Sequence, residues 1–150
     1  MSGQIISVPI QIRFADVDLA QHAHNAVYLH WFESARMVLF NSFLPGDHDW
    51  FSQGIILARN EIDYRSPVKL TDRIEVETSC GSIGSKSFDL NYRVVRKGDR
   101  SGICAEGRSV LVCFDLKANK SIQIPREWRS ALEKFRNDKE HPSPSPADRK

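Results

Sequence analysis

From Ile6 to Phe14 every second residue is apolar: Ile6, Val8, Ile10, Ile12 and Phe14 alternate with Ser7, Pro9, Gln11 and Arg13. A period of two predicts a half-buried strand. Pro9 removes a ladder donor, so the strand belongs at an edge or carries a bulge. The period then changes. Tyr28, Trp31, Phe32, Ala35, Val38 and Leu39 fall at i, i+3, i+4, i+7, i+10 and i+11, which is one face of a helix. Asn25 stands in front as an N-cap and Pro45-Gly46 closes the segment. The spacing predicts a helix from about Ala26 to about Phe43.

Strand patterns follow. "GIILARNEIDYRS" reads as a strand reaching Pro67. "RIEVETSC" sets Ile74, Val76, Thr78 and Cys80 against Arg73, Glu75, Glu77 and Ser79. "SFDLNYRVV" alternates Phe88, Leu90, Tyr92 and Val94 with polar partners, and "KGDR" is a hairpin turn. "GICAEGRSVLVCFDL" is a long strand whose phase slips near Gly107, which predicts a bulge there. "KANK" turns the chain into a short "SIQIP", and an amphipathic helix covers about Pro125 to Phe135. Short turns imply antiparallel pairing. The expectation is an α+β domain over residues 1–137, with one long helix wrapped by a five-stranded antiparallel sheet and a C-terminal helix. Residues 138–150, rich in proline, serine and charge, are expected to be a disordered tail.

Composition narrows the class. A chain of 150 residues suits one domain. Twenty-one basic and 19 acidic residues leave a net charge of +2, too balanced to argue for nucleic acid as a partner. The three cysteines, Cys80, Cys104 and Cys113, show no zinc-type spacing and read as thiols in a reducing compartment. No run approaches the ~20 apolar residues that span a bilayer. No secretory signal pattern opens the chain either, so a cytoplasmic protein with no membrane partner is expected.

Chemistry concentrates in "DVDLAQHAHNAVYLHWFESAR", Asp16 to Arg36. A helix N-terminus offers free amides and the positive end of the helix dipole, so the first-turn amides of Ala26, Val27 and Tyr28 suit a polarised carbonyl or an oxyanion. A carboxylate folded back beside them can act as base or nucleophile. Asp16 and Asp18 both qualify, but alternation in an extended segment points them in opposite directions, so only one is expected at the site. Each residue also has an ordinary reading: Asn25 as a cap, either aspartate as a turn residue, Glu33 and Arg36 as a surface pair. His22 and His24 form an HxH without a clear third ligand, so no metal is expected.

The same stretch resembles the signature of the 4-hydroxybenzoyl-CoA thioesterase family of hotdog-fold proteins. There an Asp-x-Asp is followed by Gly-His-Val-Asn-Asn, a Tyr, and Glu-x-Ala-Arg in the helix. It is also similar to plant acyl-carrier-protein thioesterases, where Asn-Gln-His-Val-Asn-Asn follows the Asp. "IDYRSPVKLTDRIEVET" resembles the family's Tyr-x-x-Pro and turn-Asp segment, and "IGSKSFDLNYRV" its Gly-x-x-Ser-Phe strand entry. The resemblance implies an acyl-CoA thioesterase with no cofactor, acting as a homodimer or a homotetramer of two dimers with sites at the dimer interface. It places Asp18 on the catalytic carboxylate, His22 on the motif histidine and Asn25 on its second Asn. It places Val27 and Tyr28 at the oxyanion and Ser85, Lys86 and Ser87 on the loop that contacts CoA phosphates in some members. Gln21 stands where many members have Gly, Ala20 where the plant enzymes have a catalytic Asn, and His24 replaces the first Asn, so the carboxylate mechanism is favoured. A hotdog hydratase and a non-catalytic acyl-CoA-binding protein are the alternatives. The first wants an Asp-x-Asn-Pro-x-His loop that is absent. The second usually carries a DNA-binding segment for which there is no room before Ile6.

Overall fold

The computed structural model describes residues 3–137, so the tail expected to be disordered lies outside the described residues. β1 (Ile6–Ile10) is followed by a 3-10 turn at Phe14–Asp16 and by the long helix α1 (Val27–Asn41). Then come β2 (Gly54–Tyr64), β3 (Arg73–Ile83), β4 (Ser87–Lys97), β5 (Gly102–Asp115), the two-residue β6 (Lys120–Ser121) and α2 (Arg126–Lys134). The strands form one antiparallel sheet in the order β1-β3-β4-β5-β2, with β6 added to the end of β5. β6 makes six strands where five are expected, because "KANK" folds back tightly enough to pair Lys120 with Asp115.

Pro9 sits in an edge strand, where its missing donor costs no ladder bond on the open side. β1 ends at Ile10 rather than continuing to Phe14, because the Asp16 carboxylate pulls the chain into the 3-10 turn by accepting from the Arg13 amide (2.8 Å). Phe14 is left 84% exposed. On α1 the buried arc is rotated from the expected stripe. Tyr28, Trp31, Phe32, Ala35 and Leu39 face the sheet, but Val38 faces solvent and Arg36 and Phe40 are buried in its place.

The predicted bulge at Gly107 is not there. β5 carries its extra residue at Cys104, between the pairs Val94–Ala105 and Val95–Ile103. Gly107 stays in register between Tyr92 and Ile62, and its function is space. The Phe32 ring stacks on Tyr92 at 4.3 Å and 5°, over the gap that the missing side chain leaves. A Cβ on Gly107 would sit 2.4 Å from Phe32 Cε2. Gly107→Ala should therefore destabilise the fold by about 1–3 kcal/mol, read as a lower urea midpoint.

Burial pushes the Cys113 thiol up to about 12 and the Cys104 thiol upward as well. No disulfide joins the cysteines, and all three are buried. The thiolate is the reactive form, so an aromatic disulfide reagent at pH 8 should find no reactive thiol in the folded protein and three after denaturation.

Candidate active site

Val17 to Ala23 folds into a narrow hairpin. Val17 bridges Ala23, the Asp18 amide donates to His22 O (2.9 Å), and the Gln21 amide donates to Asp18 O (2.9 Å). Leu19, Ala20 and Gln21 make a three-residue turn whose last position needs a left-handed backbone. Gln21 supplies it at φ 62°. That conformation gives a physical reason for glycine at this place in the resembling family. Gln21→Gly should raise stability by about 0.5–1 kcal/mol in urea unfolding, if the turn is unchanged.

The two aspartates separate. Asp16 is 3% exposed and closed on its own turn, accepting from the Arg13 amide and from its guanidinium at 3.1 Å. Asp18 points outward. Its Oδ1 accepts from the amides of Ala20 (2.9 Å) and His22 (3.2 Å), which fixes the carboxylate relative to the hairpin. It lies in the wall of a pocket of about 650 Å³ lined also by Phe14, Val17, Leu19, His24, Lys69 and Leu70. The pocket is mainly apolar, with one carboxylate, Asp18, and Lys69 and His24 elsewhere in its lining. Asp16→Asn should cost about 1–3 kcal/mol of stability and leave turnover near the parent value, measured by urea unfolding beside the activity assay.

The hairpin is docked twice. Ala23 donates to Val68 O (2.8 Å), and His22 bridges Lys69 in the crossing between β2 and β3. His22 is half-buried, and its main chain joins Asp18 to that crossing. His24 and Asn25 are exposed. Asn25 is not the helix cap. Ala26, at φ −68° and ψ −26°, occupies that position, and no side chain caps the helix. The Asn25 carbonyl instead accepts from Tyr64 Oη (2.9 Å), which ties the helix entrance to the end of β2. Tyr64 and Pro67 belong to the Tyr-x-x-Pro segment, so the signal for this contact is present in the sequence without a role attached.

At the helix entrance the Val27 amide turns back to His24 O (3.1 Å) and the Leu29 amide to Ala26 O (3.2 Å). Among the described residues no main-chain carbonyl accepts from the Tyr28 amide. The Tyr28 ring is buried against Trp31 (4.7 Å) and Tyr64 (5.1 Å). Burial pushes its phenol up to about 12, against a smaller opposing pull from the Val68 main chain beside its oxygen. Tyr28 is thus a neutral, buried support whose amide sits in the first turn of the helix.

Ser85, Lys86 and Ser87 lie elsewhere. They form the β3–β4 turn, braced by Gly84 N–H to Ser87 O (2.7 Å), Cys113 N–H to Lys86 O (2.8 Å) and Arg129 Nη2 to Gly84 O (2.6 Å). The Asp18 hairpin lies at the opposite end of β3, whose 11 residues span roughly 35 Å. Within one chain the carboxylate and this loop cannot meet. No group of three or more His, Cys, Asp or Glu among the described residues is arranged to hold a metal ion. No helix among them is long and apolar enough to cross a membrane.

A curled antiparallel sheet around one long helix, with a carboxylate hairpin at the helix entrance, defines a hotdog-type thioesterase fold. Residues 12–132 match the Thioesterase-like superfamily, and the chain belongs to it. The long-chain acyl-CoA thioesterase FadM of Escherichia coli (strain K12) is 29% identical over 130 residues, which covers 84% of this chain and 96% of that protein. A predicted thioesterase from Bacillus stearothermophilus superposes with a TM-score of 0.81 at 25% identity, covering 90% of this chain and 98% of that one. A thioesterase from Thermus thermophilus, solved with coenzyme A and Zn, superposes with a TM-score of 0.75 at 29% identity, covering 86% and 92%.

Proposed function

We propose that this protein is an acyl-CoA thioesterase that uses Asp18 as its catalytic carboxylate. The observation that carries the reading is the outward Asp18 carboxylate in an apolar pocket beside the α1 entrance, with Asp16 turned inward. Asp18 draws a proton from a water that attacks the thioester carbonyl, or attacks that carbonyl itself to form a mixed anhydride that water then hydrolyses. In either route the C–S bond breaks, and the CoA thiolate leaves and takes up a proton. The Tyr28 amide receives the developing oxyanion. Val27 is the weaker donor, since its amide already serves His24 O. His22 and Asn25 hold the loop through their main chains. The apolar walls suit an acyl chain or ring without a charged end, in keeping with the long-chain substrate in the name of the Escherichia coli relative.

A second copy of the chain completes the site in this reading. β2 is an edge strand of 11 residues with one side unpaired, and long open edges are ordinarily covered. Ile56, Leu57 and Tyr64 on it are exposed. A two-fold axis at that edge pairs β2 with its copy antiparallel, turning the partner end for end. The partner's β3–β4 turn then comes to the end of the joined sheet that carries Asp18. Ser85, Lys86 and Ser87 serve CoA from across the interface, as a dimer or a pair of dimers. With no disulfide among its cysteines, the protein suits the cytoplasm.

Thiol release on a panel of acyl-CoAs, scored beside enoyl-CoA hydration, tests the activity. Asp18→Asn should lower kcat by about 10²–10⁴-fold while acyl-CoA still binds. Near-normal turnover would remove Asp18 from the mechanism, and hydration without thiol release would favour a hydratase. The shared site has its own test. An Asp18→Asn chain and a chain with Ser85, Lys86 and Ser87 changed to alanine, each poor at low substrate, are co-expressed. Random pairing makes about a quarter of the sites whole, so activity should return. No recovery in mixed dimers would sink the shared site.

A further inference from the structure

The chain crosses from β2 to β3 through residues 65–72, over the Asp18 hairpin. We propose that Arg96, on β4, is a positioning residue for the reaction: it fixes this crossing, and the crossing sets the spacing between the Asp18 carboxylate and the α1 entrance. The inference rests on Asp18 as the catalytic carboxylate.

Arg96 is 5% exposed and does not line the Asp18 pocket. Its guanidinium grips both ends of the crossing. At one end Nη2 donates to Ser66 Oγ (3.3 Å) and to the Pro67 carbonyl. At the other, Nε donates to Asp72 Oδ2 (3.2 Å). Nη1 reaches Arg100 O (3.3 Å), which anchors the grip to the β4–β5 turn. Asp72 Oδ2 also accepts from the Lys69 amide (2.9 Å), and the Asp72 amide returns to Lys69 O (3.0 Å). The bulge residue Cys104 adds a further hold, its carbonyl accepting from the amides of Arg65 (2.8 Å) and Ser66 (3.0 Å).

From this crossing two routes lead to the site. Lys69 bridges His22, whose carbonyl and amide both bond Asp18, at 2.9 and 3.2 Å. Val68 accepts from Ala23 (2.8 Å), and its main chain lies beside the Tyr28 phenol oxygen. One route ends on the carboxylate and the other on the residue whose amide faces the oxyanion. A shift of the crossing therefore changes the distance between them. A planar five-donor fork can hold four acceptors on three segments, which an ammonium cannot do. Replacing a buried ion pair with apolar groups is often neutral for stability, so the presence of the pair is weak evidence of a stabilising role and the test must separate turnover from stability.

The test compares Arg96→Lys, Asp72→Asn and Asp18→Asn in the full-length protein, on the best acyl-CoA of the panel. Assays run well below each melting temperature, with oligomeric state checked. Arg96→Lys should stay folded and keep KM within about twofold, yet lose about 10–100-fold in kcat, the signature of misplaced groups. Asp72→Asn should shift in the same direction, and it decides the matter if Arg96→Lys does not fold. A lower melting temperature with kcat unchanged in both variants would make the network a simple brace and overturn the inference. So would a rise in KM alone. Loss of turnover in Asp18→Asn keeps the Asp18 reading intact in either case. Parent-level turnover in Asp18→Asn would overturn that reading and this inference with it.

Discussion

The stack of Phe32 on Tyr92 over Gly107 is the contact on which the rest of the structure depends. A ring laid flat on the sheet fixes both the height of α1 above the strands and its rotation about its own axis. That rotation buries Arg36 and Phe40 and turns Val38 to solvent. It also delivers the α1 entrance to the end of the sheet where β2 crosses to β3. Only there can Val68 and Lys69 pair with Ala23 and His22, and only that pairing holds the Asp18 hairpin beside the first turn of the helix.

The elements are legible in the sequence because they obey simple periods. β3 and β4 follow their alternation over most of their length, β5 lies where its long run places it, the edge position of β1 follows from Pro9, and α2 matches its amphipathic segment to within a residue. What is not legible belongs to tertiary packing. Gly107 breaks the pattern of β5 as a bulge would, but the cause is an aromatic ring from another element. The actual bulge, at Cys104, lies between the exposed Ile103 and the buried Ala105, both apolar, and so leaves no trace in polarity. Asn25 has the chemistry of a cap, yet Tyr64, distant in sequence, takes hold of its carbonyl.

For the site, sequence alone nominates both aspartates, and the structure separates them by surroundings: Asp16 is consumed by Arg13, whereas Asp18 opens on a pocket. Lys69 and Leu70 carry no sequence signal because they sit in a loop with no period, just ahead of an aspartate that reads only as a turn former. Their place in the pocket wall depends on the Arg96–Asp72 pair, a contact between positions 24 apart.

The distance between Asp18 and the Ser85–Ser87 turn ties the proposed role of Asp18 to the proposed dimer. One chain puts them at opposite ends of β3, and β2 leaves an edge open. The two-fold operation proposed at β2 answers both conditions, since it would cover the edge and bring the two ends together. Register at that edge then acquires a catalytic meaning. A slip of two residues keeps every side chain on its own face but moves the partner's turn by roughly 7 Å, more than twice a hydrogen-bond length. β2 carries a bulge at Ala58, between the pairs Leu57–Leu111 and Arg59–Val110, close to the middle of the strand. A bulge re-aims and twists a strand and so disfavours sliding. In the dimer proposed above, this irregularity of the edge is what would hold the partner's loop in reach of Asp18.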